Sequence, residues 1–170
     1  MNEHGPKIVA VSGVKNSGKT TFIEAVIPIL NNMGLRVAVI KHDGHEFTPD
    51  VPGTDSYRYR QAGAWGSAVY SASRYLVVKE EPDVDEQKLI GLFAEADLIL
   101  LEGLKNSDYP KIELVREGNS ERCVCRPETL LAVMSDLPVE PAGVRRIAYG
   151  DYEEAARLLR QFQAGCWEPA

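Results

Sequence analysis

The chain has no apolar run near the ~18 residues of a membrane helix, and its polar start, Met1-Asn2-Glu3-His4, does not read as a signal peptide. A cytoplasmic protein that avoids membranes is the expectation. A basic surplus is missing as well. The formal net charge is −6 over 170 residues, which argues against a general nucleic-acid or membrane-surface binder, because both need a basic face. Cysteine is scarce. Cys123, Cys125 and Cys166 do not form the even-numbered framework of a small secreted domain, so three reduced thiols are expected. Imidazole comes only from His4, His42 and His45. The spacing His42-x-x-His45 therefore has no matched pair to close a tetrahedral zinc site. The chain also lacks an internal repeat, a domain linker and an arginine-rich lid.

What is present centres on Gly13-Val14-Lys15-Asn16-Ser17-Gly18-Lys19-Thr20-Thr21, which fits the phosphate-binding pattern G-x-x-x-x-G-K-[ST]. A β-branched apolar run, residues 7–12, precedes it, and an apolar-periodic helix over about 19–33 follows. The glycines let the backbone turn so that successive N–H groups enclose phosphate oxygens. The helix N-terminus adds unpaired N–H groups and positive dipole. Gly13, Asn16, Ser17, Gly18, Lys19, Thr20 and Thr21 are the nucleotide-binding candidates. Lys19 reaches the β- and γ-phosphates, and the Thr20 hydroxyl ligates Mg²⁺.

The remaining pattern alternates strands and helices, as in an α/β, three-layer P-loop fold. Such a fold has a mostly parallel sheet, helices on both faces and here an antiparallel hairpin. A chain of this length suggests one nucleotide-binding domain over 1–170, with loose ends at 1–6 and 164–170. Pro28 predicts a kink or early stop in the first helix, since an interior proline costs about 3 kcal/mol. Strands are expected over 36–41, 67–71, 74–79, 97–103, 111–115, 129–134 and 146–149. Short helices are expected over 56–62, capped by Thr54 or Asp55, and over 85–94, with Leu89, Ile90, Leu92 and Phe93 inward. A last helix starts at Asp151, whose Asp-x-x-Glu resembles a capping box, and runs to about Phe162.

Glu102 ends a buried apolar run and is followed by Gly103, so it suits the metal-side acid that a phosphate loop needs. Lys19 and Glu102 are the catalytic candidates; Thr20, Glu102 and Asp43 are the Mg²⁺ candidates. Asp43 lies in a polar loop, residues 42–53, leaving a strand end, where open α/β sheets place ligands. On the short helix, Arg58 and Arg60 would point about 200° apart, so at most one of them faces a ligand.

Further stretches extend the pattern: Ile27-Pro28, Val39-Ile40-Lys41-His42, Leu100-Leu101-Glu102-Gly103-Leu104-Lys105 and Lys111-Ile112. The most distinctive is Asp50-Val51-Pro52-Gly53-Thr54-Asp55-Ser56-Tyr57, with Gln61-Ala62-Gly63-Ala64 after it. Together they resemble the molybdopterin-guanine dinucleotide biosynthesis adapter family, MobB, from Lys7 to roughly Phe162. The resemblance implies a GTP-binding protein with weak GTPase activity. It also implies a homodimer working beside the nucleotidyltransferase that joins GMP to molybdopterin. The chain departs from the family at Asp43-Gly44, where histidine is frequent, and at Thr54, where lysine is frequent. Guanine preference rests on the resemblance alone, because no N-K-x-D or T-K-x-D segment occurs. The alternatives are a P-loop small-molecule kinase or ATP-dependent ligase, a metal-insertion GTPase, and an adapter that only binds nucleotide.

Overall fold

A computed structural model describes residues 5–44, 47–139, 141 and 143–167. His4 and His45 lie outside the described residues, as do parts of both expected loose ends. The chain falls into two compact units, Met1–His42 with Glu86–Ala170, and Asp43–Asp85.

The larger unit holds β1 (Lys7–Ser12), α1 (Lys19–Asn32), β2 (Val37–Lys41), a short α3 (Glu86–Gly91), β5 (Leu98–Glu102), β6 (Lys111–Val115), β7 (Leu130–Ser135), β8 (Arg145–Ala148) and α4 (Tyr152–Gln163). The strands form one sheet in the order β2-β5-β1-β6-β7-β8, and every pairing is parallel. Alternation along each strand divides the core. Val9, Val11, Leu98, Leu100, Ile112, Leu114 and Met134 face Phe22, Val26 and Leu30 of α1 and Leu158 and Leu159 of α4. Ala10, Ile99 and Leu101 face the other way, toward Leu89 and Ile90 of α3. Both sheet faces are thus covered, which is why the strands read as continuous apolar runs.

Two expectations need correction. The first helix continues through Pro28 to Asn32, so of the two outcomes expected at this exposed proline, a kink or an early stop, the early stop does not occur. It ends in a Schellman arrangement: Gly34 adopts φ 83° and the Leu35 amide donates to the Leu30 carbonyl at 3.1 Å, with Leu35 buried. The other correction concerns α3, which is only six residues long. Leu92 and Phe93 fall after it in a turn and are exposed, because the chain leaves the sheet face there. Past α4, Trp167 packs edge-on against Phe162 at 6.2 Å, which ties down part of the expected loose end.

The second unit consists of α2 (Asp55–Gln61) and an antiparallel hairpin, β3 (Gly66–Tyr70) and β4 (Tyr75–Lys79). Thr54 caps α2, its hydroxyl accepting from the Tyr57 amide at 3.4 Å. Ser56 is the only buried residue among those described in this unit.

Candidate functional site

Parallel pairing brings the ends of β1 and β5 together, with Val11 opposite Glu102. The phosphate loop grows out of β1 at this point. Gly13 has φ 140° and Gly18 has φ 92°, both in the region that side chains avoid. A Cβ on Gly13 would sit 2.6 Å from the Leu114 carbonyl oxygen, and one on Gly18 would strike the Tyr149 hydroxyl. At Gly13 glycine is required by space as well as by torsion, since the obstacle is backbone; at Gly18 the positive φ is the stronger constraint. Asn16 also turns left-handed, at φ 63°, which asparagine tolerates better than most residues.

Lys19, Thr20 and Thr21 open α1. The Lys19 ammonium donates to the Val14 carbonyl at 2.7 Å and to Gly13 at 3.4 Å, so its charge lies against the loop that would carry phosphate. Burial pushes the Lys19 pKa below its ordinary value. Glu102 opposes that shift, while Lys41 and Lys105 add to it as neighbouring cations. Thr20 Oγ1 donates to Glu102 Oε1 at 3.1 Å across 82 residues of chain. Glu102 is 9% exposed. A hydroxyl beside an enclosed carboxylate offers oxygen donors only, which suits Mg²⁺, a hard cation that keeps several of its waters. The expected pair Thr20 and Glu102 is therefore in contact. Asp43, the third candidate, is the first residue of the second unit and is exposed.

Around this centre stand residues that reading the chain missed. Ser12 Oγ donates to the Gly103 carbonyl at 2.6 Å, and the Gly103 amide donates to Val11 at 3.0 Å. These bonds tie the end of β5 to the end of β1. Tyr149 donates its hydroxyl to the Ser17 carbonyl at 3.1 Å, and Asn119 Nδ2 donates to the Lys15 carbonyl at 3.0 Å. Two distant segments thus hold the phosphate loop from outside. Their local signals were slight: a Gly-Asn turn after β6, and a Tyr-Gly pair after β8.

Two charged side chains of β6 are buried, although Lys111-Ile-Glu113-Leu-Val115 reads as an ordinary alternating strand. Lys111 Nζ donates to the Ser107 carbonyl at 2.6 Å, and burial lowers its pKa. Glu113 accepts from the amides of Val124 and Cys125 at 2.6 and 3.1 Å, closing the segment that carries Asn119. Burial, reinforced by Glu113, pushes the Cys123 and Cys125 thiols up to about 12. They stay protonated at neutral pH and are poor nucleophiles. No three His, Cys, Asp or Glu side chains among the described residues are placed to hold a metal ion.

In the second unit, Asp50, Thr54, Asp55 and Ser56 line a cavity of about 540 Å³ together with Tyr70 and Arg74. The Ser56 hydroxyl, aided by the Val51 amide and Thr54, holds the Asp50 carboxyl below the usual range. Arg58 pairs with Asp55 at 3.5 Å and Arg60 with Glu80 at 3.3 Å, so both arginines engage acids of their own unit.

Comparison with known proteins gives a consistent set of relatives. A family model described as molybdopterin guanine dinucleotide synthesis protein B, MobB, matches residues 8–136. The molybdopterin-guanine dinucleotide biosynthesis adapter protein of Escherichia coli is 38% identical over 143 residues, covering 78% of this chain and 79% of that protein. Its Haemophilus influenzae counterpart is 35% identical over 143 residues, covering 82% and 80%. Among solved structures, Bacillus subtilis MobB superposes with a TM-score of 0.73 at 30% identity, covering 91% of this chain and 96% of that one. The Bacillus stearothermophilus homolog, at 24% identity and a TM-score of 0.68 over 93% and 98% of the two chains, shares the fold.

Proposed function

Because this chain belongs to the MobB family of molybdopterin guanine dinucleotide synthesis proteins, we propose that it binds GTP with Mg²⁺ as its working state. It acts as an adapter in molybdopterin guanine dinucleotide biosynthesis. The observation that carries the nucleotide reading is the phosphate loop itself: two glycines held at positive φ, Lys19 against the loop, and Thr20 bonded to Glu102. On this reading the loop amides and Lys19 cradle the β- and γ-phosphates, and Gly13, Asn16, Ser17, Gly18 and Thr21 shape and seat that cradle. Thr20 and Glu102 hold Mg²⁺, whose charge offsets the phosphates and favours in-line attack by water when bound.

Hydrolysis by the isolated protein is slow, at or below the low end of the roughly 1–10³ s⁻¹ of ordinary enzymes. Among the described residues, the acid bonded beside Thr20 is Glu102, which is already engaged by that hydroxyl. Such a protein is suited to serving a partner, the nucleotidyltransferase that attaches GMP to molybdopterin, in the cytoplasm. A homodimer is supported by the hairpin, which exposes Val69, Tyr70, Tyr75 and Val77 by half or more. A two-stranded hairpin is marginal by itself in water, and a second copy would cover it.

The test is a titration of GTP and GDP with and without Mg²⁺. Charge-assisted bonds contribute about 1.5–3 kcal/mol, so Lys19→Ala should weaken GTP binding about tenfold to more than a hundredfold while the fold survives. Glu102→Gln should weaken Mg²⁺-dependent GTP binding more than metal-free GDP binding. Unchanged affinity in a folded Lys19→Ala protein would remove the reading.

A further inference from the structure

We infer that Asp136 reads the guanine base, in a base site assembled from two loops in place of one contiguous motif. The inference rests on the GTP reading above and names the residue that gives it specificity.

A nucleoside triphosphate seated on the phosphate loop must extend its base to one side of β1. On the β5 side the strand ends are committed: Glu102 is bonded to Thr20, and the His42 amide donates to the Glu102 carbonyl. The other side presents the ends of β6, β7 and β8. Register there is continuous, with Ser12 opposite Glu113, Val115 opposite Ser135, and Ser135 opposite Ala148. Asp136 follows Ser135 directly and is exposed. Strands lie 4.7–4.9 Å apart, so a residue ending β7, two strands from β1, stands about 10 Å to the side of the loop. A base held through its ribose and α-phosphate falls at that kind of distance.

The local bonding gives this end of the sheet a definite shape. The Glu117 amide donates to Asp136 Oδ1 at 2.8 Å, which orients the carboxylate and leaves Oδ2 and a further lone pair for a ligand. Two residues on from Glu117, Asn119 donates to the Lys15 carbonyl of the phosphate loop. Its Oδ1 is buried with no partner among the described residues. An asparagine anchored to the phosphate loop and an aspartate that holds the backbone two residues before it are thus linked from the β6–β7 and β7–β8 connections. In a contiguous N-K-x-D segment they would be three apart; here they stand in the same order, 17 positions apart. A search for the linear segment cannot find them.

The chemistry selects guanine. Its N1–H and C2 amine are adjacent donors, and a carboxylate accepts both at once. Adenine presents an acceptor at N1 and no C2 amine, so its lone pair would face the carboxylate oxygens. A bidentate contact to a base edge commonly discriminates about tenfold to a hundredfold.

The experiment compares GTP, ATP and xanthosine triphosphate with the full chain, using wild type, Asp136→Asn and Asp136→Ala, and melting curves to establish folding. Wild type should prefer GTP over both others by tenfold or more. Asp136→Asn should lose tenfold to a hundredfold for GTP and favour xanthosine triphosphate, since its amide donates to the xanthine C2 oxygen and accepts from N1–H. Asp136→Ala should lose discrimination without gaining a xanthine preference. If Asp136→Asn keeps the wild-type ratio of GTP to xanthosine triphosphate, Asp136 is not the reader, and the phosphate-loop reading stands on its Lys19→Ala result. Equal affinity of wild type for GTP and ATP overturns the base assignment in the same way. Failure of wild type to bind any triphosphate overturns the phosphate-loop reading, and the base assignment with it.

Discussion

The two units of this protein solve the problem of burying apolar surface in opposite ways. Around the phosphate loop, strands β1, β5, β6 and β7 are lined on both faces, and residues such as Val9, Leu98, Leu100 and Met134 have no exposed surface at all. In the unit Asp43–Asp85 the side chains with the highest β propensity point outward. Tyr70 is 85% exposed and Tyr75, opposite it in the hairpin register, is 74% exposed. A contiguous apolar surface of this kind usually marks a contact with another molecule. The first unit covers its strands with its own helices. Among the described residues of the second, Ser56 alone is buried. The contrast teaches that the larger unit depends on its own interior, whereas the hairpin has little interior of its own to depend on.

Stability should separate the units most clearly. Leu100→Ala empties a fully enclosed position and should cost about 2–5 kcal/mol in urea denaturation. Val77→Ala, at a position 59% exposed, should stay within about 0.5 kcal/mol in dilute protein. Similar losses for both would break the comparison.

A middle-sized effect is expected on assembly. Replacing Tyr70 and Tyr75 together by serine should shift the mass distribution in sedimentation toward the monomer and leave GTP affinity within about threefold, a change of under 1 kcal/mol. If the double variant assembles like wild type, the hairpin is not what the second copy covers.

The smallest expected effect sharpens the description of the phosphate loop. Tyr149→Phe removes one hydrogen bond, to the Ser17 carbonyl, and keeps the ring. A loss of about 0.5–1.5 kcal/mol is expected, seen as a lower melting temperature and severalfold weaker triphosphate binding. A variant identical to wild type in both would show that the loop holds its shape without this bond.

Some of the site was legible because it is local. The phosphate loop occupies nine consecutive residues, and its conformation follows from glycine at Gly13 and Gly18, whose φ values of 140° and 92° few other residues reach. The helix that opens at Lys19, the Schellman end at Gly34 and the Thr54 and Asp151 caps are local in the same sense. Each depends on a side chain or torsion within a few residues of the group it satisfies. The apolar runs within 97–103 and 129–134 likewise announced strands, and the structure buries them on both faces.

Other features depended on which strands became neighbours. Residue type placed Glu102 at a strand end, but its contact with Thr20 exists because β5 lies beside β1. The bonds from Asn119 to the Lys15 carbonyl of the phosphate loop and from the Glu117 amide to Asp136 depend on β6 and β7 following on the other side. Lys111 and Glu113 carry charges that local pattern assigns to solvent, yet both are covered, since the segment 116–129 folds back and Glu113 accepts its amides. By itself, then, the sequence determined the conformation of the phosphate loop and the presence of strands and helices, because backbone torsion and periodicity are properties of adjacent residues. Only the tertiary structure decided which distant side chains meet that loop, because strand order is set by burying both faces of the sheet at once, a condition no single segment contains.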